Sequence, residues 1–305
     1  MKLVFAGTPQ AAVPSLVALA QSPHELAAVI SREDAPVGRR RQLTPSALAQ
    51  AAAERGLPLI KTNRLDAGAT ARIAALQPDL GVIVAYGGLV REPLLSVPRL
   101  GWINLHFSLL PRWRGAAPVQ RALIAGDELT GAAVFQLVPE LDAGAVFAQF
   151  SQTIGSFDTA GSLLHDLSVS GAQLLLQVID ALEVGGLPAV PQSGPVTLAP
   201  KLTLEDARID WSEPARVVFN RVRGVTPEPG AFTVIGDARL KLQGVALTQG
   251  AEPQPAGVIR EIDKKVLIGT GTEPLELVTV QPAGKTQMKA IDWWRGVAAT
   301  EVVAS

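Results

Sequence analysis

Through its first half the chain alternates short runs of β-branched and apolar residues with alanine-rich stretches of helical period, which confines it to a parallel sheet with crossover helices. Residues 2–6, 26–31, 59–60, 80–85 and 102–107 read as strands, the fourth apolar enough to be buried on both faces. Helices are expected at 14–20, 45–55, 67–76 and 117–125, the second with Thr44 as N-cap and Gly56 as its stop. Strands at 132–138 and 146–153 complete the sheet with an antiparallel edge, and 162–184 reads as one long amphipathic helix. Between the second strand and the following helix, residues 33–43 hold Pro36, Gly38 and Arg39-Arg40-Arg41, the composition of an exposed loop.

The character changes after Gly185-Gly186-Leu187-Pro188. Pro188, Pro191, Pro195 and Pro200 mark a linker that ends at Lys201. Beyond it, short strands at 232–235, 239–243, 257–259, 266–268 and 275–280 suggest a small β-barrel. The expected division is a catalytic α/β domain over 1–187, a linker over 188–206 and a barrel domain over 207–305. Trp293 and Trp294 look like base-stacking equipment, but with Ala290, Ile291 and Val297 they better fit the core face of a final helix.

At 305 residues with 48% hydrophobic content, two cores can be filled. Lys and Arg number 27 against 28 Asp and Glu, so a polyanionic partner would have to be held by a local patch. The absence of cysteine excludes a thiol nucleophile, disulfides and Cys-containing zinc sites, and leaves His24, His106 and His165 as the imidazoles. Gly7, Pro9, Gln10 and Pro14 interrupt the apolar N-terminal region, which suits a strand, turn and helix start better than a secretory signal. A cytoplasmic location is therefore expected, and no apolar run approaches membrane-spanning length.

Chemistry concentrates at two places. On a strand, Asn104 and His106 face the same side, so an amide and an imidazole enter one pocket together. Asp142, in an Asp-Ala-Gly turn after an apolar run, could supply a carboxylate to that imidazole; alone it would be an ordinary turn residue. Two other glycine motifs are decoys. Ala6-Gly7-Thr8-Pro9 lacks the later glycines of a dinucleotide fingerprint, and Gly284-Lys285-Thr286 has Thr279 where a phosphate loop needs glycine and Pro282 inside the cradle.

The ordered set Phe5-Ala6-Gly7-Thr8-Pro9, Val84-Ala85-Tyr86-Gly87, Ile103-Asn104-Leu105-His106, Ser108-Leu109-Leu110-Pro111, Leu141-Asp142-Ala143-Gly144 and Gln281-Pro282-Ala283-Gly284-Lys285 resembles the methionyl-tRNA formyltransferase family nearly end to end. The resemblance implies a Rossmann-like formyltransferase domain followed by an OB-like barrel, acting as a monomer without a metal. It implies transfer of the formyl group of 10-formyltetrahydrofolate to the α-amine of methionine on initiator tRNA. By the same resemblance Asn104, His106 and Asp142 are catalytic, with Asp142 raising the pKa of His106. His106 would then donate to the oxyanion as imidazolium or shuttle a proton. Folate binding falls to Ser108, Leu109, Leu110, Pro111, Tyr86 and Gly87, though Tyr86 also suits a buried strand end. Arg39, Arg40, Arg41 and Lys201 are expected against tRNA phosphates, with Arg221, Arg223, Arg239 and Lys241 as weaker candidates. Phe107 stands where many family members have glycine, and Pro139-Glu140 before the aspartate turn also depart from the pattern. Rival readings are a formyltransferase for an amino-sugar or glycinamide ribonucleotide, a formyl-folate hydrolase, and a catalytically silent RNA-binding protein. The barrel, Lys201 and the arginine loop favour tRNA.

Overall fold

Buried apolar strands organise the first of two units into which the chain divides in a computed structural model describing residues 1–38 and 41–305. This unit comprises Met1–Ala116, Thr130–Gln152 and Leu164–Ala199. Its seven-stranded sheet runs Val146–Thr153, Leu129–Gln136, Trp102–His106, Leu80–Val84, Lys2–Gly7, Glu25–Ser31, Leu59–Lys61. The last five strands are mutually parallel, and Leu129–Gln136 pairs antiparallel with Trp102–His106. That register places Asn104 between Ile83 and Phe135, and His106 opposite Ala133. Leu80–Val84 is buried throughout, as an interior strand of a covered sheet must be. The helix Ala160–Glu183 comes so close to the sheet at Gly171 that a Cβ there would lie 3.0 Å from Leu105.

Two local expectations are corrected. Thr44 caps nothing, because it lies in the strand Gln42–Thr44; Ser46 begins the helix Ala47–Glu54 by accepting the Ala49 N–H at 3.0 Å. The segment expected as a loop is an exposed antiparallel hairpin, Ala35–Val37 against Gln42–Thr44. A two-stranded ribbon without a buried face leaves no apolar alternation to detect. Arg39 and Arg40 lie outside the described residues.

The proline-rich stretch is also more ordered than a linker. Val190 exchanges both backbone hydrogen bonds with Val146 at 2.8 Å, and Leu198–Ala199 pairs in parallel with Arg114–Gly115. Prolines forbid long ladders but allow such isolated pairings, so the segment lies across the first unit as a strap.

The second unit comprises Ala117–Leu129, Thr153–Leu163 and Pro200–Ser305. Its sheet follows the path Phe232–Ile235, Ala238–Leu247, Leu275–Pro282, Lys265–Ile268, Val258–Ile262, Val302–Val303, all antiparallel, with Met288–Lys289 beside Leu275–Pro282. Leu240, Leu242, Ile259, Val266, Ile268, Leu277 and Val280 turn inward onto Trp211, Phe219 and Trp294. Trp293 packs against the same core, the structural role expected of the tryptophan pair. The unit also holds a helix at Ala215–Gly224, beyond the strands that the sequence suggests. It receives Pro118–Ala125, which therefore belongs here rather than to the first sheet as a crossover. The approach is tight at Gly224, where a Cβ would lie 2.5 Å from Ile124. Among the described residues no helix is long and apolar enough to cross a membrane.

Candidate active site

The site is assembled in the first unit around the end of Trp102–His106. Period-two alternation delivers Asn104 and His106 to one face. His106 is only 5% exposed, with its ring edge-on to Phe135 at 6.3 Å. Its Nε2 donates to the Trp113 carbonyl at 2.8 Å. A carbonyl can only accept, so the proton sits on Nε2 and Nδ1 keeps its lone pair. Beyond the strand the Ser108 hydroxyl donates to the Arg112 carbonyl at 2.6 Å and the Trp113 N–H donates to Thr197 Oγ1 at 2.9 Å, fixing the turn that presents the Trp113 carbonyl.

Nδ1 of His106 faces Asp142 Oδ2 at 3.8 Å, too far for a hydrogen bond but near enough to feel its charge. Burial pushes the imidazole below its usual pKa and outweighs the opposite pull of the Asp142 carboxylate and the Trp113 carbonyl. Asp142 acts in the direction expected of it, raising the pKa of His106, but desolvation is the larger effect and the net shift is downward. His106 is neutral near pH 7, with its basic nitrogen aimed at a carboxylate.

Asp142 sits in the left-handed region at φ 45° and its Oδ2 accepts the Gly115 N–H at 2.7 Å. Two residues on, Gly144 passes so close to the neighbouring strand that a Cβ would lie 1.6 Å from the Gln136 carbonyl oxygen. The turn is also gripped from the strap: Gln192 Nε2 donates to the Asp142 and Gly144 carbonyls at 2.7 and 2.8 Å. Arg114 in turn donates through Nε and Nη2 to Gln192 Oε1 at 3.1 and 2.6 Å. Asn104 presents the opposite case, because its Oδ1 is buried without a hydrogen-bond partner. An orphan acceptor of this kind costs about 1–3 kcal/mol, which sets Asn104 apart from the satisfied polar groups around it.

The remaining sequence candidates divide. Ser108, Leu110 and Pro111 are buried and Leu109 half-buried, Leu110 packing with Ala133 and Phe135 and Leu109 lying over Gly131. Tyr86 is 2% exposed in the core beside Trp102 and Leu94, its hydroxyl donating to the Thr62 carbonyl at 3.3 Å and its own carbonyl accepting from the Thr8 hydroxyl at 3.0 Å. Gly87 is exposed, with its carbonyl held by Arg32 at 2.9 Å. Arg41 is exposed beside the hairpin, and Lys201 is exposed in the second unit. Arg221 and Arg223 are engaged internally, by the Asp206 carbonyl and by the Gly155 carbonyl and Asn220, while Arg239 lies over the Phe232 ring at 4.0 Å. Among the described residues no group of three or more His, Asp or Glu side chains is placed to hold a metal. Trp113 and Arg114 stand in the Arg112-Trp113-Arg114-Gly115 run that follows the strand in sequence, but their bonds to His106 and Gln192, and the presence of Thr197 and Gln192 beside the site, are missed by sequence reasoning. Nothing local signals a backbone acceptor or an amide that meets its partners from fifty residues away.

The profile of the formyl transferase family matches residues 1–179, and that of the formyl transferase C-terminal domain matches residues 201–298, so the chain has formyl transferase architecture in both parts. The methionyl-tRNA formyltransferase of Leifsonia xyli subsp. xyli is 59% identical over 304 residues, and that of Clavibacter michiganensis subsp. michiganensis 56%, each alignment covering 100% of both chains. The chain belongs to the methionyl-tRNA formyltransferase family. Among solved structures, the N-formyltransferase of Helicobacter canadensis, complexed with folinic acid and dTDP-3-aminofucose, shares the fold with a TM-score of 0.68 at 17% identity, covering 91% of this chain and 99% of that one.

Proposed function

We propose that this chain transfers the formyl group of 10-formyltetrahydrofolate to the α-amino group of methionine on initiator tRNA, for translation initiation. The observation that carries the reading is identity of more than half the residues with methionyl-tRNA formyltransferases across the whole length of both chains. In this reading the first unit is a Rossmann-like catalytic domain and the strands after residue 206 an OB-like barrel. The enzyme works in the cytoplasm, as a monomer.

The reaction forms a bond from the amine nitrogen to the formyl carbon and breaks the bond from that carbon to N10 of the folate, while a proton passes from the amine to N10. Asn104 serves both ends of the attack. Its orphan Oδ1 accepts from the incoming amine, and its amide N–H groups stabilise the oxyanion without titrating. With Nε2 held on the Trp113 carbonyl, His106 uses Nδ1 to take the amine's proton and return it to N10, which favours the proton shuttle over the oxyanion donor. Asp142 stabilises the transient imidazolium across the 3.8 Å gap. Leu109 and Leu110 give apolar walls for the pteridine, and backbone groups of residues 108–111 and 86–87 supply its polar contacts. Arg39, Arg40, Arg41 and Lys201 hold phosphates of the acceptor. The test supplies 10-formyltetrahydrofolate with charged initiator tRNA, an amino-sugar nucleotide or glycinamide ribonucleotide. Formyl-methionyl-tRNA is the expected product, and formylation of a small amine alone would refute the proposal.

A further inference from the structure

We propose that Gln192 is a positioning residue for the formyl transfer proposed above, acting as an amide clasp that holds the Asp142 turn at its working distance from His106. The inference rests on that reading for the reaction, but its geometry stands apart. Asp142 occupies a left-handed backbone conformation, which aspartate tolerates better than most residues but which is held here by its neighbours. Two grips impose it here. The Gly115 N–H fixes the carboxylate, and Gln192 Nε2 fixes the backbone by donating to the carbonyls on either side of Ala143.

The chemistry of the clasp selects an amide. Arg114 brings two N–H donors to one side of Gln192, and two carbonyl oxygens wait on the other. Only a group with an acceptor at one end and donors at the other satisfies both. A carboxylate would be the stronger partner for Arg114, yet it would set a negative oxygen against two carbonyls near Asp142. Arg114 polarises the amide and so strengthens its bonds to the turn. The strap needs none of this for its own attachment. Val190 pairs with Val146, Thr197 accepts from Trp113, and Leu198–Ala199 pairs with Arg114–Gly115 whether or not residue 192 is an amide.

The clasp is tested on the full chain with Gln192→Leu and Gln192→Glu. Gln192→Leu removes both ends. It should lower kcat for initiator Met-tRNA about 10²-fold, the usual scale for a misplacement near 1 Å, with KM for tRNA and folate within about threefold of the parent. NMR of the His106 imidazole in that variant should show titration at lower pH, since the carboxylate that pulls it upward has drawn away. Gln192→Glu gains an ion pair with Arg114 but repels the turn, so Tm should hold or rise while kcat falls as far. A merely structural residue would not separate stability from rate in this way. The proposal is overturned if folded variants keep the parental kcat, if kcat simply follows Tm in both, or if the His106 titration does not move. Should the parent formylate only small amines, the tRNA reading fails, while the His106 titration still judges the clasp.

Discussion

Replacing Gly144 by alanine adds one methyl group at a place where the structure has no room for it. The new Cβ would lie 1.6 Å from the Gln136 carbonyl oxygen and must retreat to at least 3.0 Å. The obstacle is backbone, so no side chain can swing away, and the turn must shift by more than an ångström. That shift strains the hydrogen bond from the Gln136 N–H to the Ala145 carbonyl, 2.9 Å in the parent. Losing such a bond costs about 0.5–1.5 kcal/mol and overpacking adds about 1–3 kcal/mol. The chain should still fold, because native stabilities run to about 5–15 kcal/mol. Asp142, two residues away, moves with the turn and leaves the 3.8 Å approach to His106 and the 2.7 Å bond from Gly115. Turnover should therefore fall about 10²-fold, out of proportion to the loss of stability. Steady-state formylation and urea unfolding measure the two separately. Gly186→Ala is the control, because its Cβ meets nothing closer than 3.8 Å, and it should leave both unchanged. Parental rate and stability in Gly144→Ala would refute the packing argument and the coupling of the turn to catalysis together.

Asn104→Ala should cut turnover about 10²–10³-fold, the scale of a lost oxyanion donor, and His106→Ala about 10²–10⁴-fold, the scale of a lost acid–base group, each with tRNA affinity retained in a filter-binding titration. Asp142→Asn keeps the shape of the turn but not the charge that pulls His106 upward. The acid limb of kcat should move to lower pH, and an unchanged pH-rate profile would make Asp142 a turn residue only. The same substitution has a sign in stability. Because the folded His106 already titrates below the unfolded value of about 6.5, unfolding takes up a proton and stability falls as the pH drops below that value. Asp142→Asn should steepen this fall, measured as the difference between urea midpoints on either side of it. Neutralising Arg39, Arg40 and Arg41 should weaken tRNA binding and flatten its log-log salt dependence by about one unit for each phosphate that no longer meets an arginine.

The long strands of the two large sheets are legible because they bury a face or both, and burial writes itself into local sequence as alternation or an apolar run. Asn104 and His106 are legible for the same reason: a strand with known period fixes which residues share a side. What local pattern does not carry are features made by partners distant in sequence. The cap falls at Ser46 rather than Thr44 because the chain uses Thr44 in a hairpin whose strands bury nothing. The charge on His106 escapes sequence reasoning because the carboxylate is visible there and the completeness of burial is not. Gln192 lies in a segment whose prolines announce only the absence of regular structure.

The packing of Pro118–Ala125 on Ala215–Gly224 bears on how the chain is made. From Ala125 to Ala215 is 90 residues, so at about 5–20 residues per second the ribosome takes several seconds to deliver the second helix after the first has been synthesised. During that interval the earlier helix, whose Ile124 packs against the second core, has not met its partner. The nascent chain must hold Ile124 through an incomplete stage, before Ala215–Gly224 arrives to cover it. The same interleaving limits exchange between relatives. A cassette cut at the proline-rich stretch would carry away Ala215–Gly224 and leave behind the helix that packs on it.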